Sequence, residues 1–531
     1  MAETVFVRKA TGLVREVGLL SAILYCLTYS GQLMMPPTTI PYYFGWGNYT
    51  GNFWLGVLIA LITTMLVNSV YAHFSSAMPR SGGDYVFLGR TMHPLLGFAP
   101  NWTWVWVASF WNGLNLLFFA DIVRLFLSGF YPAETIASLS TPGASFGIGL
   151  VLWIVVLVML VGGLKWFLRA QYVSWILQFI TAGLVAAFFV WAAPSFASIF
   201  NSWASQYVPG QPDMYNKILS DAVAAGFPAT PTPEGPAMER TLAFAAMAVG
   251  AAAPYTAGII WIAGEVKRAE SGVRQHVAME VATILFYLML ILVGWTWVLA
   301  AGPRFLGAFN YLGSAVEGLP LSFFEWSWLP VVMPSWSVNF YIIAALSSLI
   351  IVYSAGILVV SRCLFAWSFD RMMPSFLAHV NDKYKSPTNA IFTASAISVI
   401  LLALEVNINI WTYIGAAYFL VLVNMIIVSV AGLVFPYLRK DMFEQMPLKS
   451  RIAGVPVFSI ISLLAIVFVG WTLTSFFTNP DLMASFGITQ TMTITGVVIW
   501  VIGIVVYFIA RAYNKSRGID LDIAFRQIPP A

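Results

Sequence analysis

The feature in shortest supply in this 531-residue sequence is charge, since Asp, Glu, Lys and Arg make up only 9% of it. A soluble domain carries about 25% charged residues, so this chain cannot cover a water-exposed surface of its size. Intrinsic disorder is excluded too, because 60% of the residues are hydrophobic and 16% are aromatic. With a mean hydropathy of +0.83, the composition indicates a polytopic membrane protein.

Cysteine and histidine are also scarce. The two cysteines, Cys26 and Cys363, lie inside apolar runs, which predicts buried thiols rather than a disulfide framework or a thiolate metal site. The four histidines form no His, Cys and carboxylate cluster with the spacing of metal ligands. We therefore expect no metal and no other cofactor. A net charge of +4 is small for this length and does not indicate a nucleic-acid partner.

Long apolar runs predict twelve membrane-spanning helices. Their approximate bounds are 17–43, 53–77, 95–128, 146–164, 171–193, 239–263, 277–301, 337–369, 389–408, 411–436, 456–477 and 491–512. With the N terminus inside, all but four of the 26 Lys and Arg residues fall in cytoplasmic segments or at the inner helix ends. The pattern predicts an all-α fold with both termini in the cytoplasm.

Two of the predicted spans are interrupted. The first contains Thr-Tyr-Ser-Gly-Gln at 28–32 and a pair of prolines at 36–37, and the sixth contains Gly-Ala-Ala-Ala-Pro-Tyr-Thr-Ala-Gly at 250–258. Glycine, serine and proline weaken a helix, and irregular backbone at membrane depth is tolerated only inside protein or along a cavity. Ordinary kinks are the alternative, since Gly and Pro are common in membrane helices.

The positions of the two breaks indicate more than kinks. Four spans separate them, so each opens a five-helix half, and an odd-numbered unit inverts its orientation in the membrane. Inverted halves with paired broken helices are typical of transporters that bind substrate at the bilayer midplane. Exposed half-helix amides there suit a carboxylate, and exposed carbonyls suit an ammonium group or a small cation.

Four segments resemble signatures of the amino acid–polyamine–organocation (APC) superfamily, of the amino acid permease type. Residues 29–36 are similar to its G-S-G-I-F-x-x-P motif, and residues 78–86 to P-x-x-G-G-x-Y. Residues 264–268 resemble E-E-V-x-N-P, and residues 361–374, followed by Ser-Pro at 386–387, resemble S-R-x-x-x-A…D-G-x-x-P…x-P. The segments occur in the family's order, and the resemblance covers about residues 15–440.

This resemblance implies a 5+5 inverted-repeat, leucine-transporter-like core followed by two further helices. It implies a secondary active transporter of amino acids or related small amines that works by alternating access. The backbone of the first break would receive the substrate carboxylate, and carbonyls of the sixth-span break would hold the amine. The predicted substrate-binding residues are Tyr29, Ser30, Gly31, Gln32, Asn115, Ala252, Ala253, Pro254, Tyr255 and Thr256.

Several positions depart from the family pattern, and they leave the choice of amino acid open. Tyr29 replaces the first glycine of its motif, and Gln32 replaces an apolar residue. Ala251 stands where relatives often keep an aromatic gate. Gly264 replaces the first of two glutamates, and Ala269 replaces the proline.

The coupling ion also stays open. Many relatives carry a lysine in the fifth span at the position where sodium-coupled relatives bind sodium, but Gln178 aligns there and supplies no charge. Ser354 in the eighth span is a second candidate for a cation site, unless its hydroxyl bonds to its own helix. Proton coupling, sodium coupling and uncoupled exchange or facilitation therefore remain alternatives.

Other function classes fit less well. A membrane-embedded enzyme needs a cluster of carboxylates, histidines or metal ligands at mid-depth, and the sequence shows none, so we expect no catalytic residues. A receptor or structural bundle would leave the paired breaks unexplained. The expected partners are therefore a small-molecule substrate, protons or sodium, and the lipid bilayer.

Several polar and aromatic side chains within the spans have individual structural interpretations. Asp121 and Arg124 are three residues apart and can pair on one helix face, as a structural ion pair or as a gate. Asn112 and Asn115 need partners at mid-depth, from the substrate or from a neighbouring helix. Glu280 lies near a membrane edge and is expected to reach water. The tryptophans expected to pack against lipid and other helices are Trp102, Trp104, Trp106 and Trp111.

The predicted organisation follows from these assignments. The proline-rich segment 194–238 is expected to be an extracellular connector or a lid. The segments are a cytoplasmic tail at 1–16, a first inverted repeat at 17–193, the extracellular loop at 194–238, a second inverted repeat at 239–436, two further spans within 437–513, and a cytoplasmic tail at 514–531. The expected location is the plasma membrane.

Overall fold

The fold is known from a computed structural model that describes most of the chain. The described residues are 12–30, 51–228, 238–253, 255–313, 316, 318–321, 325–410, 415–478, 490–521 and 525. Among them the strands form one two-residue antiparallel pair, Arg451–Ile452 with Val455–Pro456, and the other regular elements are helical. The prediction of an all-α protein is confirmed.

Long apolar helices run through the described chain, and we number them by predicted span. They are α1 Leu19–Tyr29, α2 Phe53–Ala77, α3 Pro94–Ser128, α4 Pro142–Val161, α5 Leu164–Ala192, α6 Met238–Ala252, α7 Gly272–Ala301, α8 Ser335–Phe369, α9 Thr388–Ile408, α10 Gly415–Leu438, α11 Val457–Thr478 and α12 Gln490–Ser516. Within α7, residues Leu290–Trp295 form a π-helical turn.

Shorter helices connect these elements. They are Asp84–Thr91, Ala133–Ser138, Phe196–Ala204, Met214–Ala224, Pro303–Leu312, Leu329–Val332 and Lys440–Phe443, and the 3₁₀ segments Ala193–Ser195, Tyr255–Glu265, Glu325–Trp328 and Ser375–Ala378. The predicted connector 194–238 is thus partly helical, because Phe196, Phe200 and Trp203 recur at helical spacing and bury one face.

Eleven helices within the described residues are long and apolar enough to cross a membrane. The remaining predicted span, 17–43, is described over α1 and its flanks, and residues 31–50 lie outside the described part. The fifth helix begins at Leu164 rather than at residue 171, because it continues through Lys165 and Arg169, whose side chains are exposed. The structure therefore supports a multi-pass helical membrane protein.

The starts of several helices follow from capping chemistry. The Asn52 side chain accepts a hydrogen bond from the Leu55 N–H at the start of α2, and Thr141 caps α4 through the Ala144 N–H. His93 caps α3 and is followed by a proline at the first helical position. Gly163 precedes α5 at a φ of 110°, a conformation that favours glycine. Local chemistry thus fixes where these helices begin.

The sixth span is broken as the sequence predicts. Helix α6 ends at Ala252, and the chain resumes at Tyr255 as the 3₁₀ segment Tyr255–Glu265. The most apolar part of this span is entirely buried, and the segment packs against α1, α2, α7 and α8. Burial inside protein is the condition under which irregular backbone is stable at membrane depth, so this packing positions the candidate site.

Backbone pairing joins the chain before α1 to the end of the broken sixth span. The N–H groups of Glu16 and Val17 donate to the Glu265 carbonyl at 2.9 and 3.0 Å, and the Lys267 N–H donates to the Val17 carbonyl at 2.9 Å. We call this end of the bundle, which also carries Arg80 and Arg90, the basic end. The pairing holds the first and sixth spans side by side there.

Candidate functional site

A cavity lies where α1 ends and the 3₁₀ segment begins. Its empty volume is about 580 Å³, including its open mouth. The lining residues come from α1, α3, the 3₁₀ segment and α8: Tyr29, Ser30, Ala108, Trp111, Asn112, Asn115, Phe118, Tyr255, Val352 and Gly356. The structure therefore brings together four of the predicted substrate-binding residues: Tyr29, Ser30, Asn115 and Tyr255.

Five of the other six predicted substrate residues fall into two groups. Ala252 and Ala253 are fully buried at the end of α6, with the Ala253 N–H donating to the Val249 carbonyl at 2.9 Å. The predictions for Gly31, Gln32 and Pro254 lie outside the described residues. The last carbonyls of α1 and α6 lack intrahelical partners and carry the negative ends of the helix dipoles, which favours a nearby cation.

Thr256 is turned away from the cavity. Its hydroxyl accepts a hydrogen bond from the Asn68 amide at 2.8 Å, and the same amide donates to Thr283 at 2.7 Å. Thr256 is fully buried and is absent from the cavity lining. It attaches the 3₁₀ segment to α2 and α7.

The two coupling-ion candidates lie apart from the cavity lining. The Gln178 amide nitrogen donates to Ser174 at 3.1 Å, and its carbonyl oxygen accepts from Ser348 at 3.2 Å, so it joins α5 to α8. The Ser354 hydroxyl donates to the Ile350 carbonyl of its own helix at 2.6 Å, the alternative that the sequence left open.

Asn112 is the most unusual polar group in the cavity. Its side chain is 1% exposed, and within the described part of the chain neither its amide oxygen nor its amide nitrogen has a hydrogen-bond partner. A Cβ atom on Gly356 would lie 1.9 Å from the amide oxygen, so glycine is required beside it. Leaving a buried polar group unpaired costs about 1–3 kcal/mol, so the Asn112 amide is able to bind a polar group that enters the cavity.

An aromatic column extends from the cavity toward the basic end. The Tyr29 and Tyr255 rings are 5.7 Å apart, Trp104 lies 5.8 Å from Tyr255, and Trp104 stacks on Trp261 at 5.4 Å and 12°. A Cβ atom on Gly83 would lie 2.3 Å from the Trp261 ring. The column of Tyr29, Tyr255, Trp104 and Trp261 therefore fills the space up to the Gly83 backbone.

These contacts locate two tryptophans of the third span inside the protein. Trp104 packs inside the aromatic column and Trp111 lines the cavity, so neither serves only lipid-facing packing. Trp104, Trp111, Ala108 and Asn115 recur at spacings of three, four and seven residues on α3 and share one face. Asn112 lines the same cavity. The sequence did not decide whether Asn112 contacts the substrate or a neighbouring helix, although its position one helical turn from Asn115 could have predicted its place in the cavity.

A buried ion pair lies beyond the column. Arg362 Nε and Nη2 donate to the two carboxylate oxygens of Glu265, each at 2.9 Å, and the side chains are only 2% and 3% exposed. A second buried pair joins Arg90 to Asp370 at 2.6 Å. Glu265 and Arg362 belong to two of the segments that carry the family resemblance, which gives those motifs a structural role.

A further cavity of about 600 Å³ lies at the basic end. Its lining residues are Leu13, Arg15, Pro79, Arg80, Ser81, Tyr85, Val86, Gly264, Phe365, Ala366, Phe369 and Asp370. Along α8 the order is Val352 and Gly356 at the first cavity, then Arg362, then residues 365–370 at this one. The aromatic column and the Glu265–Arg362 pair therefore separate the two cavities.

Ion pairing near the opposite end follows the sequence prediction. Arg124 pairs with Asp121 one turn away and also donates to the Leu139 carbonyl and the Ser145 hydroxyl. These contacts tie the end of α3 to the start of α4. The arrangement is that of a structural pair at a helix end.

Asp84 is a buried carboxyl at the basic end. It begins the short helix Asp84–Thr91 and accepts a hydrogen bond from Asn101 at 2.6 Å, while Trp367 donates to the Asn101 oxygen at 2.7 Å. Burial raises the pKa of Asp84 to about 7, and the hydrogen bond from Asn101 offsets only part of that effect. Asp84 therefore changes charge near neutral pH.

Replacing Asp84 with asparagine should flatten the dependence of stability on pH. The folded pKa of Asp84 lies above that of the unfolded chain. The contribution of Asp84 to the free energy of unfolding is therefore full below about pH 4 and is lost as the pH rises through about 7. From pH 5 to pH 8 the free energy of unfolding of the wild type should therefore fall by roughly 2 kcal/mol more than that of the variant. Thermal unfolding in detergent at each pH measures this difference, and the exposed Asp441→Asn variant is the control. Equal losses of stability in Asp84→Asn and wild type would contradict the prediction.

The fold and the cavity together define a multi-pass helical membrane protein whose cavity is separated from the basic end by packed side chains. Residues 45–517 match the amino acid permease family, and the chain belongs to that family. This confirms the resemblance found in the sequence and makes the chain a membrane transport protein of the APC type rather than a member of an enzyme family. The comparison with curated proteins returns no match.

Proposed function

We propose that the protein is a secondary active transporter that moves amino acids or related small amines by alternating access. The substrate binds in the 580 Å³ cavity where α1 ends and the 3₁₀ segment begins. The observation that carries this proposal is Asn112, a buried amide with no partner in the described chain that lines a cavity beside the end of α1 and the break in the sixth span. A polar substrate supplies the missing hydrogen bonds.

Each part of an amino acid has a matching feature in this arrangement. The carbonyl ends of α1 and α6 favour the ammonium group, and the aromatic rings of Tyr29 and Tyr255 offer it cation–π contacts. Asn112 and Asn115 bind polar groups of the substrate. The carboxylate binds the backbone after Ser30, as the family resemblance implies.

The described conformation fits one half of an alternating-access cycle. We place the basic end in the cytoplasm by the positive-inside rule, with the chain in the plasma membrane and both termini inside. The aromatic column and the Glu265–Arg362 pair then close the cytoplasmic path. Transport requires both to separate, and this movement follows from inverted repeats at 17–193 and 239–436 moving against each other.

An uncoupled exchanger or facilitator of amino acids or polyamines is the second candidate. It is favoured by Gln178, whose neutral amide is hydrogen-bonded between α5 and α8 and supplies no fixed positive charge. The two candidates share the same cavity and differ in whether an ion gradient drives uptake.

The proposal is tested by measuring the thermal unfolding of purified protein against each amino acid, putrescine and spermidine, with and without sodium. A ligand that binds only the folded protein raises its stability by about 2.7 kcal/mol at a concentration of 100 times Kd. We expect at least one amino acid or amine to raise the unfolding temperature and to be exchanged by proteoliposomes. Wild-type protein that responds to none of them would overturn the proposal.

A further inference from the structure

Three titratable side chains lie along the contact between α2 and α7, away from the substrate cavity. The His73 and His276 rings are 4.8 Å apart and edge-to-face at 81°, and Glu280 accepts a hydrogen bond from the Ser69 hydroxyl at 3.1 Å. His73 lies one turn beyond Ser69 on α2, and Glu280 lies one turn beyond His276 on α7. Contrary to the sequence expectation, Glu280 is partly buried against a neighbouring helix.

Both imidazoles are held in one tautomer. His73 Nδ1 lies 2.7 Å from the Ser69 carbonyl, and His276 Nδ1 lies 3.0 Å from the Gly272 carbonyl. Because a carbonyl only accepts hydrogen bonds, each Nδ1 must carry the proton, which leaves each neutral Nε2 as an acceptor. Phe458 stacks on His73 at 4.6 Å and 9° and fixes its ring plane.

The cluster is open to water on one side. A cavity of about 630 Å³ borders both rings and is otherwise lined by Val273, Val277, Leu448, Ser450 and Val457. Behind the rings, Glu280 Oε2 is buried and has no hydrogen-bond partner within the described part of the chain. The site therefore combines access for a small cation with two acceptor nitrogens and a carboxylate.

Neighbouring charges leave this carboxylate uncompensated in the described chain. On α7, Arg274 donates to the Lys267 carbonyl. In the segment before α11, Lys449 donates to the Glu444 carbonyl and Arg451 pairs with the Glu444 carboxylate. From α1, the Cys26 thiol lies within electrostatic range of Glu280.

We propose that His73, His276 and Glu280 form a proton-binding site whose proton is coupled to substrate transport. Two imidazolium ions at this separation repel each other, so the pair takes one proton on one Nε2. The proton enters from the bordering cavity, and the Nε2 lone pair binds it one helical turn from Glu280. No bond between heavier atoms changes, and the proton leaves by the reverse step.

A short path connects this site to the substrate cavity. Asn68 precedes Ser69 on α2, and its amide binds both Thr256 of the 3₁₀ segment and Thr283 of α7. Thr256 directly follows Tyr255, which lines the cavity. A shift of α2 against α7 on protonation therefore moves the broken part of the sixth span. This coupling rests on the proposed transport function, whereas proton binding by itself does not.

Proton binding is tested directly by NMR titration of histidine-labelled protein. The chain has only four histidines, so single substitutions assign each signal. We expect the His73 and His276 signals to follow one shared transition, and Glu280→Gln to move it at least one unit to lower pH. Two independent transitions, unaffected by Glu280→Gln, would overturn the site.

Coupling is tested in proteoliposomes with a substrate identified by thermal stabilisation. We expect an inward proton gradient to increase wild-type uptake at least tenfold. The double variant His73→Gln/His276→Gln should lose that increase while keeping substrate affinity within threefold, and the exposed His379→Gln and the buried Asp84→Asn serve as controls. Wild-type protein that exchanges substrate but ignores the gradient would overturn the coupling alone; wild-type protein that binds no substrate would overturn the proposed function.

Discussion

Replacing Asn112 with leucine should stabilise the ligand-free protein and weaken substrate binding at least tenfold. The amide has no partner in the described chain, so an apolar side chain of the same branching removes a buried unpaired group and gains about 1 kcal/mol. The same change deletes a hydrogen bond to the substrate, for which tenfold corresponds to about 1.4 kcal/mol. Thermal unfolding with and without substrate measures both effects.

Asn424 provides the matched control, because it is equally buried but its amide nitrogen has two partners, although its amide oxygen has none in the described chain. Its amide donates to the Pro100 carbonyl and the Thr103 hydroxyl, both at 2.9 Å. Asn424→Leu should therefore destabilise the protein and leave substrate affinity unchanged. If Asn112→Leu instead lowered stability and left affinity intact, Asn112 would be a structural residue and the assignment of the cavity would lose its main support.

Replacing Arg362 with methionine should destabilise the protein by about 3–5 kcal/mol. The change leaves the Glu265 carboxylate buried without its bidentate partner, whereas both charges are now satisfied at 2.9 Å. Arg451→Met is the control, since Arg451 and Glu444 form an exposed pair whose loss costs less than about 1 kcal/mol. Unfolding temperatures of the three proteins in one detergent give the comparison.

A double variant distinguishes buried charge from lost packing. Arg362→Met combined with Glu265→Leu removes both charges and should recover most of the lost stability. Since the pair lies between the two cavities, this variant should also open the basic end more easily, seen as faster labelling of a cysteine introduced at Ser30. A double variant as unstable as Arg362→Met would show that an isolated buried carboxylate is not the cause.

Hydropathy predicted the helical bundle well because the chain carries so few charges. The bounds of α2 match at Phe53 and Ala77, since the Asn52 cap and the end of the apolar run coincide with the real ends. The prediction failed at the start of α5, where Lys165 and Arg169 are part of the helix and face outward. Charges at a helix end mark the membrane edge, not the end of the helix.

The parts of the candidate site that depend on local backbone conformation could be predicted from the sequence. The parts that depend on how helices pack against each other could not. The end of α1 at Tyr29 and the break before Tyr255 occur where the sequence is rich in glycine, serine and proline, and both tyrosines line the cavity. The inward position of Trp104 depends on how α3 packs against the 3₁₀ segment, and tryptophan is equally apolar facing lipid. In the same way, the contact of Glu280 with Ser69 depends on the register of two helices that are far apart in sequence.

The pairing of residues 16–17 with residues 265–267 has a consequence for biosynthesis. Arg15 and its partner Glu270 are separated by 255 residues, so the ribosome synthesises Glu270 long after Arg15. At about 5–20 residues per second the wait is roughly 10–50 s. During that interval the first span lacks the 3₁₀ segment against which α1 packs, so this packing forms only after the sixth span has been inserted.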